Sequence, residues 1–581
     1  MLLLPGTDPL RAQWSGSIDL AGGYGIMPPS EEDDTDRLDH GLVQGSVKLK
    51  YKHPSLVWSA VLDGRWEPKD SETRRGSLKD QVAVTDKIMR SHPVTAGFRS
   101  DLSWTPAPSR QYDSWIRYQY RHDRGENETS NMSLGLENLD INSYNYYYER
   151  PLMNEHGLSG GVKTRHQLGG PWRELQSAFS VETAFNRQVN GWFVYKSSTS
   201  EAAGWIYQIT PDNTDLNTSF QVHLRDSVLR GKARLVLDPG LRLETLHDLD
   251  HNSGATLDVD VWMDEDKEVW IDSVRLRERF DFLTVKAEPY LAAALSWKSL
   301  EVNADYGLQF HGRRLNDDDH HQPLSLHGIY PVGKGSLRWR MGRHHRLSLN
   351  NSLSVTHPDY FQICWYERTG GYLNQLYRGN EKLPSTLQRT YGLGYDFSTS
   401  HFNSSTSFTL TRKVNETDQT WTEEEIEGRL YKVFTWTDAA DSWALGIAQK
   451  LGYEGKYLSA HAGVVYNLTE RIARDSGKKK DATDWTLTAD AEGRLGRGWT
   501  VKADARYRSK VATFFSIFGE YCVLNARIQK QWKDLTIYVE GRDLLDGPRT
   551  TSFESVDHSE RWLEITRSNR RLVVLGLKWA L

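Results

Sequence analysis

Apolar and polar residues alternate one by one through most of this chain. Trp499, Val501, Ala503, Ala505 and Tyr507 take one set of positions, and Thr500, Lys502, Asp504 and Arg506 take the other. Just before them, Trp485, Leu487, Ala489 and Ala491 alternate with Thr486, Thr488, Asp490 and Glu492, and Gly496-Arg497-Gly498 separates the two runs. Side chains on a strand point to opposite faces of its sheet, so a period of two predicts strands with one apolar and one charged face. The pattern recurs as hairpins. Leu291, Ala293, Leu295 and Trp297 turn at Lys298-Ser299 into Leu300, Val302, Ala304, Tyr306 and Leu308. Leu524, Ala526, Ile528 and Trp532 turn at Lys533-Asp534 into Leu535, Ile537 and Val539. Val43, Val47, Leu49 and Tyr51 turn at His53-Pro54 toward Trp58, Ala60, Leu62 and Trp66.

The connections come in two lengths. Tight turns are expected at 52–55, 105–109, 298–299, 343–345, 454–456, 496–498 and 533–534, with fainter ones near 153, 188, 229 and 399. Long polar connections are expected at 67–93, 123–139, 311–330, 413–440, 468–483 and 547–570. Membrane β-barrels sort their connections in this way, short on the periplasmic side and long outside, whereas a sandwich has no reason to. Aromatic residues end the apolar faces beside the turns, at Tyr51, Trp104, Trp297, Trp499 and Trp532, where an interfacial girdle would sit. Eleven tight turns predict about 22 strands, with 170–290 the weakest stretch of the count. A strand with its connection averages ~26 residues, more than the ~9–11 that span a bilayer, so strands are expected to rise above the lipid. Val573, Leu575, Leu577, Trp579 and Leu581 alternate to the last residue, as a closing strand would.

Composition narrows the alternatives. Mean hydropathy is −0.63, and no run approaches the ~18 apolar residues of a membrane helix. Barrel strands pass this filter because they show lipid at every second residue only. The 21 Trp and 27 Tyr suit interfacial belts, although that load alone fits a Trp-rich soluble all-β protein equally well. Net charge is −5 over 581 residues with both signs intermixed. No basic field exists for nucleic acid. Without a composition break or linker, the chain reads as a tail, 1–13, and one all-β transmembrane antiparallel up-and-down barrel, 14–581, with no plug domain. Met1 to Leu4 is too short for a signal peptide. The expectation is therefore a sequence that begins inside a longer gene product or at a misassigned start.

Two segments carry a resemblance. Val539-Glu540-Gly541-Arg542-Asp543-Leu544-Leu545-Asp546 resembles the N-L-F-D segment near the end of TonB-dependent receptors, with Leu for Phe and Arg-Asp where Asn is usual. His357-Pro358-Asp359-Tyr360 and Arg378-Gly379-Asn380-Glu381-Lys382-Leu383 resemble the R-P-x-Y … G-N-P-x-L-x-P loop of the same receptors, with Glu381-Lys382 departing from the pattern. With the chain's ending, the whole is similar to the outer-membrane β-barrel family of Bacteroidetes, the barrel half of such receptors. The resemblance implies a Gram-negative outer-membrane location and lipid, lipopolysaccharide and the barrel-insertion machinery as partners. It also implies uptake of a small or medium solute, with a TonB system, a separate plug or a surface lipoprotein as further partners. Alternation already starts at Trp14, leaving no room for the plug such receptors carry. An open barrel of this width would need loops folded inward. The other reading is a non-transporting scaffold whose extracellular loops bind a partner or glycan, and a soluble all-β binder is the third.

Candidate chemistry is sparse. Asp317-Asp318-Asp319-His320-His321 is the densest set of ligand-type residues, but consecutive residues do not easily converge on one ion, and a solvated loop is the simpler reading. His344-His345 reads as a polar turn, Asp264-Glu265-Asp266 lacks the spacing of a calcium loop, and Glu31 to Asp34 and Lys478 to Lys480 read as solvated tips. Lipopolysaccharide phosphates are the one ligand class those lysines suggest. Cys364 and Cys522 form neither a disulfide framework nor a metal knuckle, and whether they pair is open. No nucleophile elbow, His-Glu-x-x-His or phosphate loop occurs. The chain is read as no enzyme, with no catalytic, cofactor-binding or metal-binding residue and no cofactor.

Overall fold

The alternating runs become strands of one sheet whose last member, Leu572–Ala580, pairs antiparallel with the first, Gln13–Ile26. The computed structural model describes residues 13–26, 39–78, 81–135, 141–169, 173–198, 201–230, 233–261, 269–317, 320–363, 367–369, 375–426, 429–474, 477, 479–512, 516–545, 549–554, 561–568 and 571–580. Through these the sheet closes as an antiparallel barrel of 22 strands. Closure pairs Leu20 with Leu577 and Tyr24 with Val573 in register, so the membrane-level wall has no free edge. None of the described helices is long and apolar enough to cross a membrane, and none of the described residues forms a plug domain.

The two faces separate as the alternation requires. Leu291, Trp297, Leu308, Phe310, Ile329, Trp499, Ile528, Val539, Leu575 and Trp579 all point outward and are exposed. Such a shell of apolar side chains is stable only in hydrocarbon. The run from Leu300 to Phe310, at about 3.4 Å per residue and a tilt of about 40°, rises roughly 26 Å, the height of a bilayer's apolar band. Rings gather at the tight-turn end. Trp14 lies 4.9 Å from Tyr51, and Trp104 lies 5.4 Å from Tyr112 between ring centroids. His344 and His345 belong to this girdle rather than being plain polar punctuation. Their Nδ1 atoms meet Ser398 O and Tyr395 Oη, each at 2.7 Å, tying one turn to the next hairpin.

Two expectations need correction. The turns near 153 and 188 do not exist, because those residues lie inside the strands Ile141–Gln167 and Arg173–Ser198. One connection, 168–172, replaces them, which leaves ten tight connections with the first and last strands closing the ring. The residues around Gly157, Gly160 and Gly191 continue as strand. The long connections are also mostly strand, not loop. Arg110–Gly135 and Phe402–Ile426 run straight through 123–135 and 413–426. Lys69–Leu78 and Gln81–Ser91 carry the wall above Pro68 and Pro93, where proline removes a ladder donor and breaks each long strand in two. Residues 1–12, Glu31 to Asp34, Asp264 to Asp266, Asp318, Asp319, Cys364 and Lys478 lie outside the described residues. Cys522 is a free thiol.

The inward face is polar, and aromatic rings cover glycines on it at several places among the described residues. Tyr290 lies over Gly240 and Tyr538 over Gly576, each pair being register partners on neighbouring strands. A β-carbon on either glycine would fall inside the ring. A guanidinium covers each ring from the lumen side, Arg242 at 3.7 Å and Arg527 at 3.6 Å from the centroid. Tyr538 also seals a cluster of Ala21, Leu42, Leu572 and Val574 along the closure seam.

Candidate functional site

The rim is uneven. The strand Val269–Trp297 rises far above its neighbour Leu300–Asp317, whose top, Asp317, pairs with Phe280. On the other side Phe402–Ile426 and Arg429–Glu454 are tall again. The chain between His345–Thr356 and Thr386–Ser398 sits at this dip and folds into the lumen. A short helix, Tyr360–Ile363, opens it, and the strand Gln375–Arg378 pairs parallel with residues 432–435 of the tall strand Arg429–Glu454, two places along the wall from Thr386–Ser398. The segment therefore covers one sector of the mouth.

Its seat begins with His357. The imidazole stacks on His311 at 3.5 Å and 4°, with Nδ1 2.8 Å from Ser385 Oγ and Nε2 3.0 Å from Gln309 Oε1. Tyr330 meets its edge at 5.1 Å. Arg313 donates through Nη1 to Pro358 O and through Nε to His311 Nε2 at 3.1 Å. Burial, with the cationic neighbour Arg313, lowers the His357 pKa to about 3, so the ring is neutral in its seat. Beyond it, Ile363 and Leu383 pack on Phe282 and Leu315, with Leu324, Leu326 and Trp436 around them. Phe282 and Leu315 are apolar residues on the lumen face, out of phase with the rest of that wall, and the segment is what covers them. Each such side chain contributes about 1.5–3 kcal/mol when buried.

The far end is pinned by polar contacts. Arg378 makes two hydrogen bonds to Glu424, both 3.1 Å, and the pair is half exposed. Asn380 Nδ2 donates to Trp436 O at 2.9 Å, and its backbone N–H reaches Gln362 O at 2.7 Å. The two halves of the loop motif seen in the sequence thus meet through Asn380 and Gln362.

The sequence reading named no individual site residue. His311, Arg313, Gln309, Phe282, Leu315 and Trp436 all belong to this seat and were missed. The available signal was the phase break at Phe282 and Leu315. Of the residues considered for a metal, Asp317 and His320 pair across a strand tip. The described residues contain no group of three His, Cys, Asp or Glu side chains placed to hold an ion. Arg542 ends a strand and holds Glu540 at 2.5 Å, while Asp543 takes a positive φ of 43° and turns the chain at the upper end of the seam.

A closed barrel of 22 strands with an apolar outer band and a segment folded over part of its mouth defines a class, the large outer-membrane β-barrels. Residues 334–579 match the outer membrane protein beta-barrel family, and the protein is an outer-membrane β-barrel. No curated protein matches its sequence. Among solved structures it is similar to the siderophore receptor PirA from Pseudomonas aeruginosa, at 11% identity, with 98% of this chain and 80% of that one covered and a TM-score of 0.53. It is similar to the ferric citrate transporter FecA in its unliganded form, at 9% identity, 98% and 78% covered, TM-score 0.60. The siderophore receptor PiuA from Acinetobacter baumannii is 12% identical, with 98% and 82% covered and a TM-score of 0.60. At such identities the likeness is one of fold.

Proposed function

We propose that this protein is a non-enzymatic, transport-class barrel that takes up a small or medium solute through its lumen. The observation that carries the reading is the lumen itself. Strand after strand turns charged and hydroxyl side chains inward, and a structured segment covers one sector of the mouth where a solute would first dock. A scaffold that only displays loops has no need for either. Partners consistent with this role are a TonB-type energy source and a separate plug or surface lipoprotein. The solute class named for the neighbouring receptors, iron chelates, is one candidate.

Uptake tests the reading. Cells carrying the chromosomal gene and cells lacking it are compared for accumulation of a panel of labelled solutes, ferric chelates, peptides and oligosaccharides among them. At least one solute should enter faster with the barrel present, and loss of that uptake on deleting residues 357–385 should accompany correct assembly. Equal accumulation of every solute, together with tight binding of one at the cell surface, would favour the scaffold, whose tall outer sheet already offers a large display surface.

A further inference from the structure

Low in the lumen, between the strands Glu201–Arg230 and Phe402–Ile426, the inward faces enclose a recess of about 710 Å³. This is within the usual range for a small-molecule site, about 300–1,000 Å³. Small side chains, such as Ala292, Ala294 and Gly392, make the hollow. It lies a few residues above the turn at 298–299, toward the periplasmic end and well below the segment that covers one sector of the mouth.

Its charge is unbalanced. Arg225, Lys334 and Arg338 line it, and among the described residues none of the three makes an ion pair or a side-chain hydrogen bond. The two carboxylates in the recess are already held by other groups. Asp238 is bonded to His223, and Asp305 accepts from Arg242 Nη2 at 2.7 Å. Lys334 is the register neighbour of Asp305 but does not replace Arg242. Beside the recess, Arg340 and Arg346 face each other in register on neighbouring strands, a like-charge pairing that costs stability. Arg340 alone is relieved, by Glu301 at 3.1 Å. Some cations elsewhere on the lumen wall sit on carboxylates, as Arg99 on Asp101 and Lys502 on Glu492 do, each at 2.6 Å. A concave wall with unpaired cations and neutral donors from Asn303, Ser336 and Asn350 suits an anion.

We propose that this recess is a binding station for an anionic solute bearing carboxylates or phosphates, with Lys334 and Arg338 as its principal contacts and Arg225 on the far side. The proposal deepens the transport reading and rests on it for the solute's route, though not for binding. The purified full chain in detergent is titrated calorimetrically with pyrophosphate, with tricarballylate, with poly-glutamate and with glucose. Pyrophosphate or tricarballylate should bind, more weakly as salt is added, while glucose does not. Whichever anion binds identifies phosphate or carboxylate as the preferred group. Lys334→Gln with Arg338→Gln should weaken that binding at least tenfold, Lys334→Arg should preserve it, and Arg99→Gln on another part of the wall should leave it unchanged. A heat-dependent shift in electrophoretic mobility shows that each variant is folded. No anion binding up to about 10 mM, or wild-type binding by the double variant, overturns the proposal. Binding of poly-glutamate alone also overturns it, in favour of an acidic polypeptide partner. Anion binding without any cellular uptake would sink the transport reading and leave the station standing. Uptake without anion binding would do the reverse.

Discussion

The closure seam offers a quantitative test of how the wall is locked. Replacing Gly576 by Ala puts a β-carbon where the Tyr538 ring now lies, and the register partner cannot move aside without leaving its seat. Tyr538 is only 5% exposed and covers Leu42, Leu572 and Val574. Displacing it forfeits about 1.5–3 kcal/mol of burial and about 0.5–1 kcal/mol of its contact with Arg527. Against this, alanine gains roughly 0.5–1 kcal/mol over glycine in a strand. The net expectation is a loss of about 1.5–3 kcal/mol. Reversible urea unfolding in lipid vesicles, followed by tryptophan fluorescence, gives the number. Tyr538→Ala should cost a similar amount, and adding Gly576→Ala to it should cost nothing further or recover a little, because the clash has gone. Such strong non-additivity is the signature of direct contact. Gly576→Ala within about 0.5 kcal/mol of wild type, or simple additivity of the two changes, would refute the reasoning.

Other changes report on the mouth. Asn380→Ala removes the bond to Trp436 O and should release the segment 357–385 by about 1 kcal/mol, seen as faster cleavage within it by protease added outside intact cells. Leu383→Ala should loosen it by about 2–4 kcal/mol while leaving barrel unfolding unchanged, since the lost contacts belong to the segment and not to the wall. Acid should also free it. The His357 pKa falls from its ordinary value near 6.5 to about 3 in the seat, so protons bind the released form more tightly. The seat is at full strength above about pH 6.5, weakens as pH drops below that, and loses this contribution fully once pH passes the folded value. Protease cleavage should rise between pH 6.5 and 4 in the wild type and rise less in His357→Gln, where His311, lowered to about 4 chiefly by burial, is the remaining seat imidazole that gains a proton on release.

Much of the wall was legible in the sequence because membrane strands obey one rule at every position. The outward Trp499, Val501 and Tyr507 and the inward Lys502 and Asp504 stand where a period of two puts them. The closing strand was readable for the same reason, as was the girdle at Trp104 and Trp297. What failed was punctuation. Glycines at 157, 160 and 161 suggest turns, yet a barrel wall keeps glycine where rings or neighbouring strands crowd it, as Trp115 does at Gly161. Polar runs such as 413–426 suggest loops, yet backbone pairing above the membrane needs no apolar face and leaves no alternating signal. The mouth was legible only as a motif. His357 and Asn380 stood out, but their partners His311 and Trp436 are distant in sequence. Only the barrel's curvature brings them together.

The central claim is a water-filled lumen, continuous with the outside and walled by the residues that alternate with the lipid-facing ones. Neighbouring positions on one strand test it most directly. In a background with Cys364 and Cys522 replaced by Ser, Ser336→Cys and Leu337→Cys are each exposed, in intact cells, to a small membrane-impermeant thiol reagent. The account predicts that Ser336→Cys is labelled and Leu337→Cys is not, although a lipid-soluble maleimide reaches the latter. Labelling of Leu337→Cys by the impermeant reagent, with Ser336→Cys protected, would contradict it.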